Sequence, residues 1–165
     1  MPAENTVSIR RATESDLDEM LMLSHEFHEF HVHGVPDRLR VPDPYDDVAV
    51  REMLVKILHN EDAALFVAYE HGRLVGLAEV CLQRDNPHPA VRDYAYGHLQ
   101  SLIVTAPMRR QGLGRRLVAA AEQWSSEHGA TEMRLTIWEF AGGPLPFYEA
   151  LGYRTMKRIL VRPLK

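Results

Sequence analysis

The 165 residues suffice for one domain with a full core and are few for two. A hydrophobic share of 45% with 25% charged residues excludes a disordered chain, and a net charge of −4 argues against a general nucleic-acid binder. Cys81 is the single cysteine, so no intrachain disulfide forms, and no apolar run approaches the roughly 18 residues of a membrane span. With no signal-peptide core in Met1–Arg10, the expected setting is the reducing cytoplasm.

In chain order, Val7–Arg11 alternates apolar and polar residues and predicts a strand. Thr13, whose hydroxyl suits a cap, and Asp16 start a helix with an apolar stripe of Leu17, Met20, Leu21, Leu23, Phe27 and Phe30, stopped by Gly34. Residues 34–44 carry three prolines and predict a loop. Asp43 and Pro44 fit the cap and first turn of a second helix running to about His59. Ala64–Tyr69 and Leu74–Val80 flank a tight turn in which Gly72 supplies a positive φ, which predicts a hairpin. A polar loop, Arg84–Asp93, leads to a strand at Gly97–Val104. A helix over Leu113–His128 ends at Gly129, and Met133–Trp138 is another strand. The loop Gly142-Gly143-Pro144, a short helix Phe147–Leu151 and a last strand through Val161 complete the chain. Hairpins followed by a β-α-β crossover predict a single α/β domain over residues 1–165 with a mixed sheet.

The chemistry concentrates in the turn before the long helix. Gly112 and Gly114 lack a Cβ and allow close approach of a ligand. The helix start offers unpaired N–H groups and a positive dipole end, and Arg109, Arg110, Arg115 and Arg116 surround it. An anionic ligand is therefore expected there. A Walker loop is excluded because the chain has no Gly-Lys pair, and Leu117 stands where a dinucleotide fingerprint needs its third glycine.

Other polar groups carry less. His25, His28, His31 and His33 lie on the first helix, but no cysteine is near, and Glu26 and Glu29 make this a solvated helix end; no metal is expected. Cys81, in Val80-Cys81-Leu82, reads as a small core hydrophobe.

Arg109-x-x-Gly112-x-Gly114 resembles the acetyl-CoA-binding motif of the GNAT superfamily of N-acetyltransferases. The preceding Ser101–Pro107, the later Phe147-Tyr148-Glu149-Ala150-Leu151-Gly152-Tyr153 and the opening Ile9-Arg10-Arg11-Ala12-Thr13-x-x-Asp16-Leu17 resemble that family too, in its order. The resemblance implies a sheet splayed at its centre and flanked by helices, with acetyl-CoA as cosubstrate. Backbone groups of Leu102, Ile103 and Val104 would pair with the pantetheine arm, and Arg109, Arg110, Gln111, Gly112, Leu113, Gly114 and Arg115 would cradle the pyrophosphate. It gives Tyr148 the role of general acid toward the leaving thiolate. One departure is Ala141, where many relatives carry Asn; Gly142 and Gly143 could offer backbone groups instead.

A base must take the acceptor amine's proton. Strand alternation puts His98 and Gln100 on one face, and relatives often carry a catalytic Glu at these positions. Gln100 cannot act as a base, whereas His98 titrates near neutrality; Glu79, on the neighbouring strand, is the other candidate. The implied reaction is direct acetyl transfer to a primary amine of unidentified parentage. The alternative is a silent acyl-CoA-binding sensor. A homodimer is a further expectation, since many relatives are dimers.

Overall fold

The computed structural model describes residues 7–164, so the reading of Met1–Arg10 falls largely outside the described residues. Five strands form one sheet in the order β1-β2-β3-β4-β5: β1 (Ser8–Arg11), β2 (Ala63–Glu70), β3 (Arg73–Arg84), β4 (Ala95–Val104) and β5 (Glu132–Arg134). The first four pair antiparallel and β5 joins β4 in parallel, which makes the sheet mixed as expected. Helices α1 (Leu17–Gly34) and α2 (Asp47–Leu58) cover one face; α3 (Leu113–Glu127) covers the other, and α4 (Leu145–Ala150) lies beside its start.

Two cores follow from this layering. Met20, Leu23, Leu54, Leu65, Val67 and Leu77 are buried under α1 and α2. Val80, Leu99, Leu117, Val118, Ala121 and Trp124 are buried under α3. At about 1.5–3 kcal/mol for each large apolar side chain removed from water, these layers supply the main stabilisation.

Several boundaries differ from the sequence reading, each for a local reason. α2 starts at Asp47, because Asp46 rather than Asp43 caps it, its carboxylate accepting the Ala49 N–H at 2.9 Å. Thr13 and Asp16 form a capping box as expected, the Asp16 carboxylate accepting the Thr13 N–H at 2.7 Å, but the turn they start is a short 3-10 helix, Glu14–Asp16, that leads into α1. In the hairpin both His71 (φ 49°) and Gly72 (φ 76°) are left-handed, as a two-residue turn between right-twisted strands requires. The strand expected over Met133–Trp138 keeps only Glu132–Arg134 in the sheet, and the strand expected through Val161 is absent: Arg154–Leu164 has no regular structure and is exposed.

One irregularity decides which side chains reach which face. Across β3 and β4, Glu79 faces Ser101 but Val80 faces Leu99, so Gln100 is an extra residue, a β-bulge. It shifts the alternation by one: Leu99 is in the α3-side core whereas Ile103 is in the α1-side core. The plain alternation expected from His98 to Gln100 is interrupted here, because Gln100 is the extra residue of the bulge and is exposed.

Candidate functional site

The β4–β5 ladder contains three pairs, Tyr96↔Glu132, Gly97↔Met133 and His98↔Arg134, and then stops. Beyond it β4 continues to Val104 against β3 alone. The chain after β5 makes no backbone hydrogen bond from Thr136 to Glu139 among the described residues. The sheet thus divides at His98 and Arg134, leaving a row of peptide groups on β4 without a strand partner. Arg134 fixes the division point. It grips Asp85 through two hydrogen bonds of 2.6 and 2.8 Å, reaches Glu132 at 2.6 Å and lies 3.9 Å over the Tyr96 ring. Asp85 holds its guanidinium well above the usual range, with Glu132 adding to this.

The divided strands lead to the start of α3. Gly112 is its N-cap at φ 80°, and no side chain caps the free N–H groups. Arg110 is also left-handed at φ 62°, uncommon outside glycine, which tightens the turn. A Cβ on Gly112 would meet nothing within 4 Å, so the approach to these amides is open. Gly114 serves packing instead: a Cβ there would stand 3.2 Å from the Phe147 ring, and its absence lets α4 seat against α3.

The four arginines of this turn divide in two. Arg110 and Arg115 are exposed, with no ion pair among the described residues, and aim their charge at solvent around the helix start. Arg116 instead donates to the Val7 carbonyl at 2.8 Å. Arg109 donates through Nε to the Val104 carbonyl at 2.9 Å, pairs with Glu26 at 3.1 Å and lies 5.4 Å over the Phe30 ring. Glu26 also accepts the Ala106 N–H at 3.2 Å. This carboxylate of α1 therefore ties the end of β4 to the turn. Glu26 reads as part of a solvated helix end in the sequence, and no local pattern reveals a partner 83 residues away. Gln111 folds back onto the Pro107 carbonyl at 3.0 Å.

Tyr148 is buried at the start of α4 in the α3-side core, edge-on to Phe147 and Tyr153 at 5.0 and 5.7 Å. Burial alone pushes its phenol up to about 12, so the proton stays on at any physiological pH. Both base candidates lie on the α1 face. Glu79 is largely withdrawn from water, which raises its pKa; a 3.3 Å hydrogen bond from Ser101 works against that. His98 stands opposite Cys81, with Nδ1 buried and without a partner. Burial lowers its pKa and the Gln100 amide offsets this in part, so the imidazole is neutral at pH 7. Cys81 is half-buried, its thiol pushed up by burial and so a poor nucleophile.

The rim beside α1 is held by contacts of its histidines with the loop that follows and the start of α2. His25 stacks on Tyr45 at 3.9 Å and pairs with Asp47 at 2.8 Å, while His28 reaches the Arg40 carbonyl at 2.7 Å. His31 bonds the Phe27 carbonyl, so these histidines point to separate partners, and no metal-holding cluster exists among the described residues. Arg38, Asp37 and Asp43 are exposed around them. The Gly143 N–H is taken by the Phe140 carbonyl at 3.0 Å, which removes it as a substitute for the missing Asn. Phe140 in turn packs against Gly34, where a Cβ would collide with its ring. A cleft of about 510 Å³ lined by Trp138, Phe140, Leu145 and Pro146 lies alongside. A second depression, by Arg11 and His59, is at the far end of α3, about 20 Å along the helix from the turn.

The sheet thus opens beside an uncapped, arginine-flanked helix start. Residues 20–153 match the model of the Acetyltransferase (GNAT) family, and the chain belongs to that family. A glucosamine 6-phosphate N-acetyltransferase of Trypanosoma brucei brucei is 33% identical over 87 residues, 53% of this chain and 55% of that one. The match thus spans little more than half the length of this relative. An aminoglycoside N(6')-acetyltransferase of Salmonella typhimurium is 24% identical over 110 residues, 64% of this chain and 72% of that one. Among solved structures, a mutant of a Bacillus halodurans protein superposes with a TM-score of 0.85 at 22% identity, covering 96% of this chain and 99% of that one. An aminoglycoside N-acetyltransferase in complex with CoA gives a TM-score of 0.77 at 21% identity, covering 100% and 99%. Both share the fold.

Proposed function

We propose that this chain transfers the acetyl group of acetyl-CoA to a primary amine by direct attack, and that it does so in the cytoplasm. The observation that carries the reading is the division of the sheet at His98 and Arg134 beside the uncapped start of α3. The residues present fit the cosubstrate. Amides from Gln111 to Arg115 would hold the pyrophosphate, Arg110 and Arg115 would balance its charge, and the peptide groups of Leu102 and the Val104 N–H, which face away from β3, would accept the pantetheine arm, with Ile103 between them paired to Leu77. Arg109 would brace the strand end rather than the phosphate, given its contacts with Glu26 and Val104.

Acetyl-CoA supplies an activated thioester. His98, neutral at pH 7 with an unpartnered buried nitrogen, would take the proton of the attacking amine; Glu79, on the same face, is the reserve candidate. Strand amides of β4 would steady the developing oxyanion. Tyr148, kept protonated by burial, would give its proton to the departing sulfur. The relatives act on amino sugars by their names, which makes phosphorylated amino sugars and aminoglycosides the first acceptors to try. Free-thiol release from acetyl-CoA across a panel of amines tests the reading. Turnover with at least one amine is expected. Tight coenzyme binding with no turnover on any of them would favour the sensor.

A further inference from the structure

We infer that the cleft at Trp138 holds the body of the acceptor, and that this body is an apolar ring joined to its amine by an alkyl spacer rather than a sugar. The role as acceptor rests on the acetyl-transfer reading; the affinity of the cleft for such a ring does not.

The cleft lies on the face where the amine would react. Leu135 and Ile137 pack on the α3-side core, so alternation turns Thr136 and Trp138 to the opposite face, with Arg134 and its ladder partner His98. Trp138 is 44% exposed and belongs to neither core. Four residues of extended chain, about 13 Å, separate it from Arg134, so a spacer must stand between ring and nitrogen.

The walls are apolar and braced. Trp138, Phe140, Leu145 and Pro146 line about 510 Å³, a volume in the range of small-molecule sites. Phe140 is held by the Phe30 ring at 5.7 Å and by Gly34, whose missing Cβ admits its ring. The Gly143 N–H on the lining is already taken by the Phe140 carbonyl. That leaves Glu139 as the one charged side chain on the lining. A sugar would bring several hydroxyls that need partners, and hydroxyls buried without them are costly. A flat apolar ring needs none and stacks on the indole face.

The charge fixes the sign of the other end. Glu139 is exposed and has no ion pair among the described residues, and no basic residue lines the cleft. From His25 to Asp47, through the half of α1 that Phe140 touches and the loop after it, six acidic residues stand against two arginines. Such a surface attracts an ammonium group and rejects a phosphate.

The test pairs turnover with binding. With acetyl-CoA, phenylethylamine and phenylbutylamine should give kcat/KM at least about tenfold above glucosamine, with glucosamine 6-phosphate lowest. Trp138→Ala should raise the KM for the phenylalkylamine about tenfold and leave that for acetyl-CoA unchanged, and Trp138→Phe should recover most of the loss. Binding is read from the emission of Trp138, because the other tryptophan, Trp124, is buried at the far end of α3. Phenylbutylamine added to the protein with coenzyme A should change that emission, and Trp138→Phe should abolish the change. Phenylalkylamines that bind in this way but are never acetylated would sink the transfer reading and keep the cleft. Glucosamine turned over faster than the phenylalkylamines would overturn the inference and keep the transfer reading. An emission indifferent to the phenylalkylamine would overturn it too. So would a KM rise confined to acetyl-CoA in Trp138→Ala, which would give the cleft to the coenzyme.

Discussion

The two halves of this sheet are built on opposite terms. From β1 to β4 every strand has its neighbours, and the polar groups left over are answered locally. Asp16, buried, accepts Arg10 at 2.7 and 2.8 Å, the Thr13 amide at 2.7 Å and the Tyr69 hydroxyl at 2.8 Å. From His98 onward the pairing stops, and peptide groups on both sides of the division stand without strand partners. Only where the hydrogen-bond accounting is left open can a ligand supply the missing half of a bond. The closed half is the platform that holds the open half apart.

Substitutions in the two halves should therefore fail in different ways. In the closed half, Asp16→Asn should cost about 2–3 kcal/mol of stability, in the range for hydrogen bonds to a charged group. Affinity for coenzyme A should be unchanged once the variant is folded. The Arg10 hydrogen bonds, helped by Thr13 and Tyr69, hold this carboxyl well below its usual 3.8. A depressed folded pKa gives stability that is present above the unfolded value and lost as pH falls below it. Denaturant melts at decreasing pH should show that loss in the wild type and a flatter profile in Asp16→Asn.

In the open half, Tyr148→Phe should lower kcat about 10²-fold while the KM for acetyl-CoA and the melting temperature barely move, if the hydroxyl serves the leaving sulfur as proposed. Steady-state kinetics beside a thermal melt reads both; a stable, fully active variant would leave Tyr148 as a packing residue.

A smaller loss, about tenfold at neutral pH, is expected for His98→Ala. Burial lowers the His98 pKa below 6.5, so the wild-type rate should fall only as pH drops below that value. The pH–rate profile of the variant should lose this acidic limb. A retained limb would transfer the role to Glu79 or to water.

Smallest of all, Glu26→Gln should raise the KM for acetyl-CoA up to about fivefold with kcat retained. The half-exposed Glu26–Arg109 pair contributes at most about 1 kcal/mol and positions the strand end without touching the reacting atoms. A fall in kcat with KM unchanged would contradict that positioning role.

How much of this was legible in the sequence follows the same division. The strands and helices of the closed half have periodic patterns and local caps, and their order was readable within a few residues. The glycine turn was legible as the start of a helix, and the Phe147 ring beside Tyr148 packs within 3.2 Å of where a Gly114 Cβ would stand. The β-bulge at Gln100 was not legible, because one inserted residue reverses the facing of side chains without any composition signal. The division of Arg109 and Arg116 from Arg110 and Arg115 was hidden as well, because Glu26 and the Val7 carbonyl are distant in sequence. The short β5 and the irregular course of Arg154–Leu164 were not legible, because strand formation depends on tertiary pairing that local propensity does not encode.

The central claim, that the open turn at Gly112 holds the coenzyme's pyrophosphate, has a matched control inside the molecule. Gly72 in the β2–β3 turn (φ 76°) and Gly112 (φ 80°) have the same left-handed backbone, and a Cβ on either meets nothing within 4 Å. Valine at either position should cost a similar amount of stability, about 1–2 kcal/mol. Isothermal titration with coenzyme A should then separate them. Gly72→Val should bind like the wild type, and Gly112→Val should lose binding. Equal affinities in the two variants would contradict the placement of the site.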